Sequence, residues 1–171
     1  MKLRRANLSD LDLLRYWDTK PHVGAASSED EWWDWPVELA RNADWQEMLI
    51  AEEGGRPIGF IQIIDPARED TRYWGDVETN LRAIDIWIGE ETDLGRGFGT
   101  RMMELALERC FADTAVTAVL LDPLVTNRRA HRFYERLGFK RIERRRFDKE
   151  ECYVYRLVRD RWEEAKTPSP T

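Results

Sequence analysis

Residues 94–110 read LGRGFGTRMMELALERC, with three glycines at alternate positions and an apolar-striped segment directly after them. Glycine loses much conformational freedom on folding, and it weakens a helix. Gly95, Gly97 and Gly99 therefore indicate a place where the chain needs bare backbone before a helix. A helix N-terminus offers free N–H groups and a partial positive charge, so this arrangement is suited to binding an anion.

Two common phosphate-binding loops do not match this glycine pattern. A dinucleotide-binding fold needs G-x-G-x-x-G after the first strand of a βαβ unit, and a P-loop needs G-x-x-x-x-G-K-[ST]. The segment GRGFGT has neither spacing. The spacing by itself also allows a flexible surface turn before an ordinary helix, so the neighbouring elements have to decide between a turn and an anion site.

The composition favours one soluble domain with a cationic partner. The chain has 171 residues, of which 42% are hydrophobic, and this is enough for a single core. We expect one domain over residues 1–165 and a flexible tail over 166–171. The net charge of -6 disfavours nucleic acid and anionic membranes as partners. The oligomeric state is left open between monomer and homodimer.

The expected location is the cytoplasm. The N-terminus, MKLRRANLSD, has no apolar export signal, and no apolar stretch is long enough to span a membrane. The two cysteines, Cys110 and Cys152, have neither metal-binding nor redox spacing, which fits a reducing compartment. We therefore predict a protein without a metal site.

Hydrophobic periodicity predicts the elements of the first half. A strand is expected over residues 1–6, followed by a helix in LSDLDLLRYW with Ser9 as its N-cap. In SSEDEWWDWP, Ser28 and Glu31 are predicted to form a capping box, and Pro36 is predicted to limit that turn. The apolar runs EMLIAEE and PIGFIQIID flank a Gly-Gly turn and predict a hairpin.

The second half predicts more regular elements. The strand NLRAIDIWIGE precedes the glycine loop and its helix, and TAVTAVLLDP predicts a further strand rich in β-branched residues. A helix is expected between Asn127 as its cap and Gly138 as its stop, followed by two strands. The predicted order is β-α-α-β-β-β-α-β-α-β-β, a mixed α+β fold with helices packed on one sheet.

With these elements in place, the chain resembles the GNAT superfamily of N-acetyltransferases. The family signature [QR]-x-x-G-x-[GA] holds the pyrophosphate of acetyl-coenzyme A, and here Leu94 stands where most members have Gln or Arg. A later family pattern, N-x-x-A-x-x-x-Y-x-x-x-G-F, is matched by Asn127, Ala130, Tyr134, Gly138 and Phe139. The resemblance implies a twisted, mostly antiparallel sheet of about seven strands with flanking helices.

Within the superfamily, the chain is most similar to the aminoglycoside 6'-N-acetyltransferases. Those enzymes have an L-G-[KR]-G-x-G-T loop, an Asp in a G/A-I-D strand before it, and a D-P-x-x-x-N element after the next strand. This chain has LGRGFGT, Asp85 within AID, and Asp122-Pro123 leading to Asn127. The similarity implies acetyl transfer from acetyl-CoA to an amine of a cationic small molecule, above all the 6'-amine of an aminoglycoside. The alternatives are a peptide amine, a siderophore-type hydroxylamine, or a non-catalytic acyl-CoA binding module.

The resemblance also implies the site residues. Asp85 would orient the ammonium and relay its proton through water, since a carboxylate with a pKa near ~3.9 is a poor base. Tyr134 would give a proton to the leaving thiolate, a transfer that is uphill by about 2 kcal/mol. The candidates for binding the acceptor are Asp122, Asp76, Glu78 and Trp33, with Trp32 and Trp35 beside it. The cofactor would be held by Trp87, Ile88, Leu94, Gly95, Arg96, Gly97, Phe98, Gly99, Thr100, Asn127 and Arg132.

The residues alone also allow structural roles for these side chains. Asp85 could lie on a solvated strand face, Asp122 could start an Asp-Pro turn, and Tyr134 could be a core aromatic on its helix. Trp33 could pack in the core or at a dimer contact. The two acidic loop residues could be solvated, and the two histidines lack partners at catalytic spacing and are assigned no role.

Overall fold

A computed structural model describes the chain outside residues 26–32 and 167–171. The predicted capping box, Trp32 and nearly all of the predicted tail lie outside the described residues. The chain forms two compact units that interleave in sequence: Met1–Ile64 with Ile84–Glu108, and Asp65–Ala83 with Arg109–Thr171. The expectation of a single domain over 1–165 stays a prediction.

Within the described residues, seven strands form one sheet. Their bounds are β1 Lys2–Arg5, β2 Gln46–Glu53, β3 Arg56–Ile64, β4 Leu81–Ile88, β5 Ala118–Leu121, β6 Lys140–Phe147 and β7 Glu150–Val158. They are hydrogen-bonded in the order β1-β2-β3-β4-β5-β7-β6. The ladders β1–β2, β2–β3, β5–β7 and β6–β7 are antiparallel, whereas β4 and β5 are parallel. The predicted α+β fold with a mostly antiparallel sheet is confirmed.

Helices precede and connect the strands. Their bounds are α1 Leu11–Asp18, α2 Pro21–Gly24, α3 Trp35–Ala40, α4 Phe98–Ala112, α5 Arg128–Arg136 and α6 Arg159–Lys166. Within the described ranges, no helix is long and apolar enough to cross a membrane. The sequence did not predict α6. This helix has no buried residue, so it lacks the apolar stripe that reveals a helix in a sequence.

Two helix starts differ from the sequence prediction. The 3-10 turn that leads into α1 is capped by Asn7 and not by Ser9. Asn7 Oδ1 accepts from the Ser9 N–H, and Asp10 accepts from the Asn7 N–H, both at 2.9 Å. Pro36 lies in the first turn of α3, after the cap residue Asp34. Proline is favoured there because that N–H has no helical partner, so Pro36 begins a helix where it was predicted to limit a turn.

Local signals in the sequence identified the β2–β3 turn and α5 correctly. Gly54 and Gly55 join the two strands with φ of +58° and +80°, in the left-handed region. Asn127 Oδ1 accepts from the Ala130 N–H at 3.1 Å and caps α5. Gly138, with φ of +93°, follows the end of that helix.

In the first unit, a buried aromatic core supports β4. Trp17 of α1, Trp35 of α3 and Phe60 of β3 belong to one cluster of buried side chains. Two glycines allow neighbouring groups to pack closely at the end of β4: Gly59 of β3 lies against the Trp87 carbonyl, and Gly89 lies against the Trp17 side chain. A Cβ on Gly59 would lie 2.2 Å from the Trp87 carbonyl oxygen, and a Cβ on Gly89 would lie 2.0 Å from the Trp17 indole. Only glycine fits at both positions, and the position of β4 follows from this packing.

Candidate active site

The glycine loop between β4 and α4 has the backbone conformation that an anion cradle needs. Gly95 and Gly97 have φ of +74° and +84°, and no described atom lies within 4 Å of an ideal Cβ at either position. The Arg101 N–H donates to the Gly97 carbonyl at 3.1 Å. The N–H groups of residues 98–100 come before this bond and have no carbonyl partner within the helix. Open space, free donors and the positive end of the helix dipole fit a diphosphate.

A buried carboxylate, Asp93, organises the positive charge beside this loop. Asp93 is 2% exposed. It accepts two hydrogen bonds from Arg56, at 2.6 and 2.9 Å, and one from Arg96 at 2.8 Å. The Arg56 guanidinium holds the pKa of Asp93 below its ordinary value. Because two arginines share one carboxylate, the group keeps a net positive charge next to the glycines. No sequence motif marks Asp93, and it was not among the predicted site residues.

The strand β4 carries three predicted site residues: Asp85, Trp87 and Ile88. Asp85 is exposed. The parallel ladder with β5 covers only the first three residues of β4, so Trp87 and Ile88 lie beyond its last pair. His22 Nε2 donates to the Ile88 carbonyl at 2.9 Å. No sequence pattern links His22 to this partner, which lies 66 positions away.

Trp87 belongs to an aromatic cluster with Trp33, Trp35 and Phe60. The ring centroids are 4.9 Å apart for Trp33 and Trp35, 4.5 Å for Phe60 and Trp87, and 6.0 Å for Trp33 and Trp87. The buried Trp87 Nε1 has no hydrogen-bond partner among the described residues. The fold thus brings Trp33 next to Trp87. Asp85 precedes Trp87 by two residues on the same strand, a distance of about 7 Å. Contact between Trp33 and an acceptor stays a prediction.

In the second unit, Asp122 directly follows β5 and is half-buried. Its Oδ2 accepts from the Tyr73 hydroxyl at 2.6 Å. Burial raises the pKa of the Asp122 carboxyl, while the Tyr73 hydrogen bond and the charge of Arg145 oppose that shift. No sequence motif marks Tyr73, which lies 49 positions from its partner.

The two acidic loop residues predicted to bind an acceptor are each paired with an arginine in the second unit. Asp76 accepts from Arg72, and Glu78 accepts from Arg156 at 2.9 and 3.2 Å. The hydrogen bonds from Arg156 hold the pKa of Glu78 below its ordinary value. An acceptor ammonium would therefore have to compete with an arginine at either residue. Asp122 instead accepts from the neutral hydroxyl of Tyr73, and this hydrogen bond does not cancel the negative charge of the Asp122 carboxylate.

The helix α5 carries Tyr134, and Asn127 is the N-cap of this helix. Tyr134 is buried, and its ring centroid lies 6.0 Å from that of Phe139 and 6.2 Å from that of Tyr155. Burial raises the pKa of Tyr155 to about 12, so this neighbour keeps its proton at neutral pH. Arg132 is exposed on the same helix. The catalytic role of Tyr134 and the cofactor contacts of Asn127 and Arg132 stay predictions.

Comparison with known proteins identifies the family. The model for an acetyltransferase (GNAT) domain matches residues 7–147. An aminoglycoside N(6')-acetyltransferase type 1 of Klebsiella pneumoniae is 30% identical over 153 residues, which cover 81% of this chain and 73% of the relative. A lysine N-acyltransferase, MbtK of Mycobacterium tuberculosis, is 26% identical over 146 residues, which cover 81% of this chain and 68% of that protein.

A solved structure has the same fold. The aminoglycoside acetyltransferase AAC(6')-Ib in complex with coenzyme A and kanamycin superposes with a TM-score of 0.86 at 26% identity. The match covers 97% of this chain and 99% of that one. The match covers most of the chain, and the glycine loop before α4 and the strand order point to the same family. The chain belongs to the GNAT acetyltransferase family.

Proposed function

We propose that the chain transfers the acetyl group of acetyl-CoA to a primary amine of a cationic small molecule, namely the 6'-amine of an aminoglycoside. The observation that carries the proposal is the open, left-handed glycine loop at the start of α4. The Klebsiella pneumoniae relative, an aminoglycoside acetyltransferase by name, supports the acceptor class. The net charge of -6 also suits a polycationic acceptor, since it attracts cations to the protein surface.

Main-chain groups would bind most of the acetyl-CoA. Gly95 and Gly97 leave room for the diphosphate, the free N–H groups of residues 98–100 donate to it, and Arg96 adds charge. Asp93 holds Arg96 in place. The backbone of β4 beyond its ladder with β5 is suited to pair with an extended pantetheine arm as a strand-like ligand. When bound, acetyl-CoA supplies an activated thioester carbonyl and a thiolate leaving group.

The ionisable side chains would manage the protons of the transfer. Asp85 attracts and orients the acceptor ammonium. The proton of the ammonium passes to water, because a carboxylate with a reference pKa near ~3.9 is too weak a base to hold that proton. A backbone N–H of β4 donates to the carbonyl oxygen as negative charge develops there. Tyr134 gives its proton to the departing thiolate. Asp122 binds a further ammonium of the acceptor.

The variant Asp85→Asn tests this function, because it removes the charge and keeps the size of the side chain. We expect kcat/KM for kanamycin to fall at least about 100-fold, the usual contribution of a positioned acid-base group. The dissociation constant of coenzyme A should stay near the wild-type value. Asp12→Asn, which changes an exposed carboxylate in the first turn of α1, is the matched control. Wild-type turnover in Asp85→Asn would reject the role of Asp85.

A second candidate acceptor is a lysine-type amine, which the similarity to a lysine N-acyltransferase favours. Release of the coenzyme A thiol can be followed with kanamycin, tobramycin, a lysine peptide and an alkyl hydroxylamine as competing acceptors. The proposed function predicts the highest kcat/KM for the two aminoglycosides. A preference for the peptide or the hydroxylamine would assign the enzyme to the second acceptor class.

We also propose that the protein works in the cytoplasm as a single domain, as a monomer or a homodimer. Cys110 and Cys152 are both buried, and their spacing in the sequence is typical of neither a metal site nor a redox pair, which fits a reducing compartment. Light scattering after size exclusion measures the oligomeric state. Limited proteolysis tests the single domain, which predicts one protected core that extends through most of residues 1–165.

A further inference from the structure

Within the second unit, Tyr73 is fixed at both ends although it lies on the surface. Its hydroxyl donates to Asp122 Oδ2 at 2.6 Å, and its ring stacks on Phe147 with centroids 4.6 Å apart and planes at 10°. The side chain is 48% exposed. An exposed side chain in one geometry loses rotamer freedom, so the two contacts must offset that cost.

The surroundings of Tyr73 hold this stack in place. The buried Trp74 meets the Tyr73 and Phe147 rings edge-on, at 5.9 and 5.2 Å. Arg145 donates to the Trp74 carbonyl at 3.0 Å and lies over the Phe147 ring. Glu69, which is buried, accepts from the Tyr73 N–H. The backbone, the ring and the hydroxyl of Tyr73 are therefore each fixed.

The hydrogen bond orients Asp122 without neutralising it. A carboxylate has two oxygens and accepts up to about four hydrogen bonds. The phenol donates to Oδ2 and the backbone N–H of Asp122 also donates to the carboxylate, so lone pairs remain that can accept from an ammonium. An arginine in the place of Tyr73 would compensate the charge, as Arg156 does at Glu78. A neutral donor instead sets the direction of the carboxylate and keeps its attraction for a cation.

We propose that Tyr73 is a positioning residue that aims the Asp122 carboxylate at an ammonium group of the acceptor and thereby sets the preference for polycationic acceptors. The inference rests on the proposed function, in which Asp122 binds the acceptor. Among the residues that the structure describes, the titratable and charged side chains that act on Asp122 are Tyr73, from the loop before β4, and Arg145, from β6. Arg145 acts through its charge, so Tyr73 is the side chain that fixes the direction of the carboxylate.

Tyr73→Phe is the sharpest variant, because it removes the hydroxyl and keeps the ring that stacks on Phe147. We expect KM for kanamycin to rise about tenfold, from the loss of a hydrogen bond to a charged group, while kcat and KM for acetyl-CoA change little. The preference for kanamycin over a simple monoamine should shrink. Tyr16→Phe is the control, since Tyr16 in the first unit is 50% exposed and its hydroxyl also makes a hydrogen bond.

The pH profile gives a readout that a structural role for Tyr73 would not move. Asp122 has to be ionised to bind an ammonium. The phenol is one of the contacts that oppose the effect of burial on this carboxyl, so its loss raises the pKa of Asp122 further. The acidic limb of kcat/KM for kanamycin should therefore move to higher pH in Tyr73→Phe and stay in place in Tyr16→Phe.

Carboxyl-carbon NMR titration of Asp122 without any acceptor separates this inference from the proposed function. The inference predicts a higher Asp122 pKa in Tyr73→Phe than in the wild type. An unchanged pKa, or a wild-type KM and pH profile in an active variant, would overturn it. If the wild type does not acetylate any aminoglycoside while the pKa still moves, the acceptor assignment fails and the orienting contact stands.

Discussion

Replacing Gly97 by alanine separates backbone strain in the glycine loop from the loss of a bound cofactor. Gly97 has φ of +84°, and the structure describes no atom within 4 Å of the added Cβ. The folded chain therefore has room for the methyl group, and its cost is the left-handed backbone conformation, about 1 kcal/mol. For a chain of this length, that cost lowers Tm by about 3 °C.

The effect on coenzyme A should be larger than this strain. The added methyl group would occupy the space that the loop offers to the diphosphate, and it would push the phosphates away from the N–H groups of α4. We expect the dissociation constant of coenzyme A to rise at least about tenfold, which corresponds to about 1.4 kcal/mol. Acetyl-pantetheine, which lacks the diphosphate, should bind the variant and the wild type alike.

Gly55→Ala provides a matched control for strain. Gly55 has φ of +80° in the turn between β2 and β3, and an added Cβ there also meets no described atom within 4 Å. Both variants should therefore lose the same few degrees of Tm, measured by thermal unfolding without ligand. Isothermal calorimetry with coenzyme A should distinguish them. Equal affinities in Gly97→Ala, Gly55→Ala and the wild type would refute the assignment of the loop to the diphosphate.

Two other variants test the packing and the charge around the same loop. Gly89→Ala should lower the free energy of unfolding by about 2–3 kcal/mol, since the Cβ would lie 2.0 Å from the Trp17 indole; a loss below about 0.5 kcal/mol in urea denaturation would contradict this packing. Asp93→Asn should weaken coenzyme A binding several-fold and lower stability at neutral pH. The folded pKa of Asp93 lies below its ordinary 3.8, so its stabilising effect is complete above pH 3.8 and is lost as the pH falls through the folded value. Unfolding free energies of wild type and Asp93→Asn should therefore converge in acid, and a constant difference down to pH 2 would contradict this linkage.

Short-range signals explain why much of the fold could be predicted from the sequence. Left-handed glycines, caps and strand alternation are set by neighbours along the chain, as at Gly97 and Asn127. The acetyltransferase family, which two spaced motifs indicated, is confirmed by the family match. Pro36 was interpreted wrongly because proline can follow a helix or begin one, and the cap at Asp34 decides between them.

The hydrogen bonds that could not be predicted from the sequence join segments that lie far apart along the chain. Tyr73 is 49 positions from Asp122, and His22 is 66 positions from Ile88. No periodicity or motif links such pairs, since only the folded sheet brings them together. Trp33 illustrates a further limit, because the sequence allowed both core packing and contact with an acceptor. The structure places Trp33 in the aromatic cluster, and its contact with an acceptor needs a functional test.

Product analysis shows whether the chain acetylates an aminoglycoside and at which nitrogen. The purified chain is incubated with acetyl-CoA and kanamycin, and the product is identified by mass spectrometry and by NMR assignment of the modified nitrogen. The proposed function predicts one added acetyl group, on the 6'-amine, with release of one coenzyme A thiol for each product formed. Tight binding of coenzyme A without any acetylated aminoglycoside would contradict it.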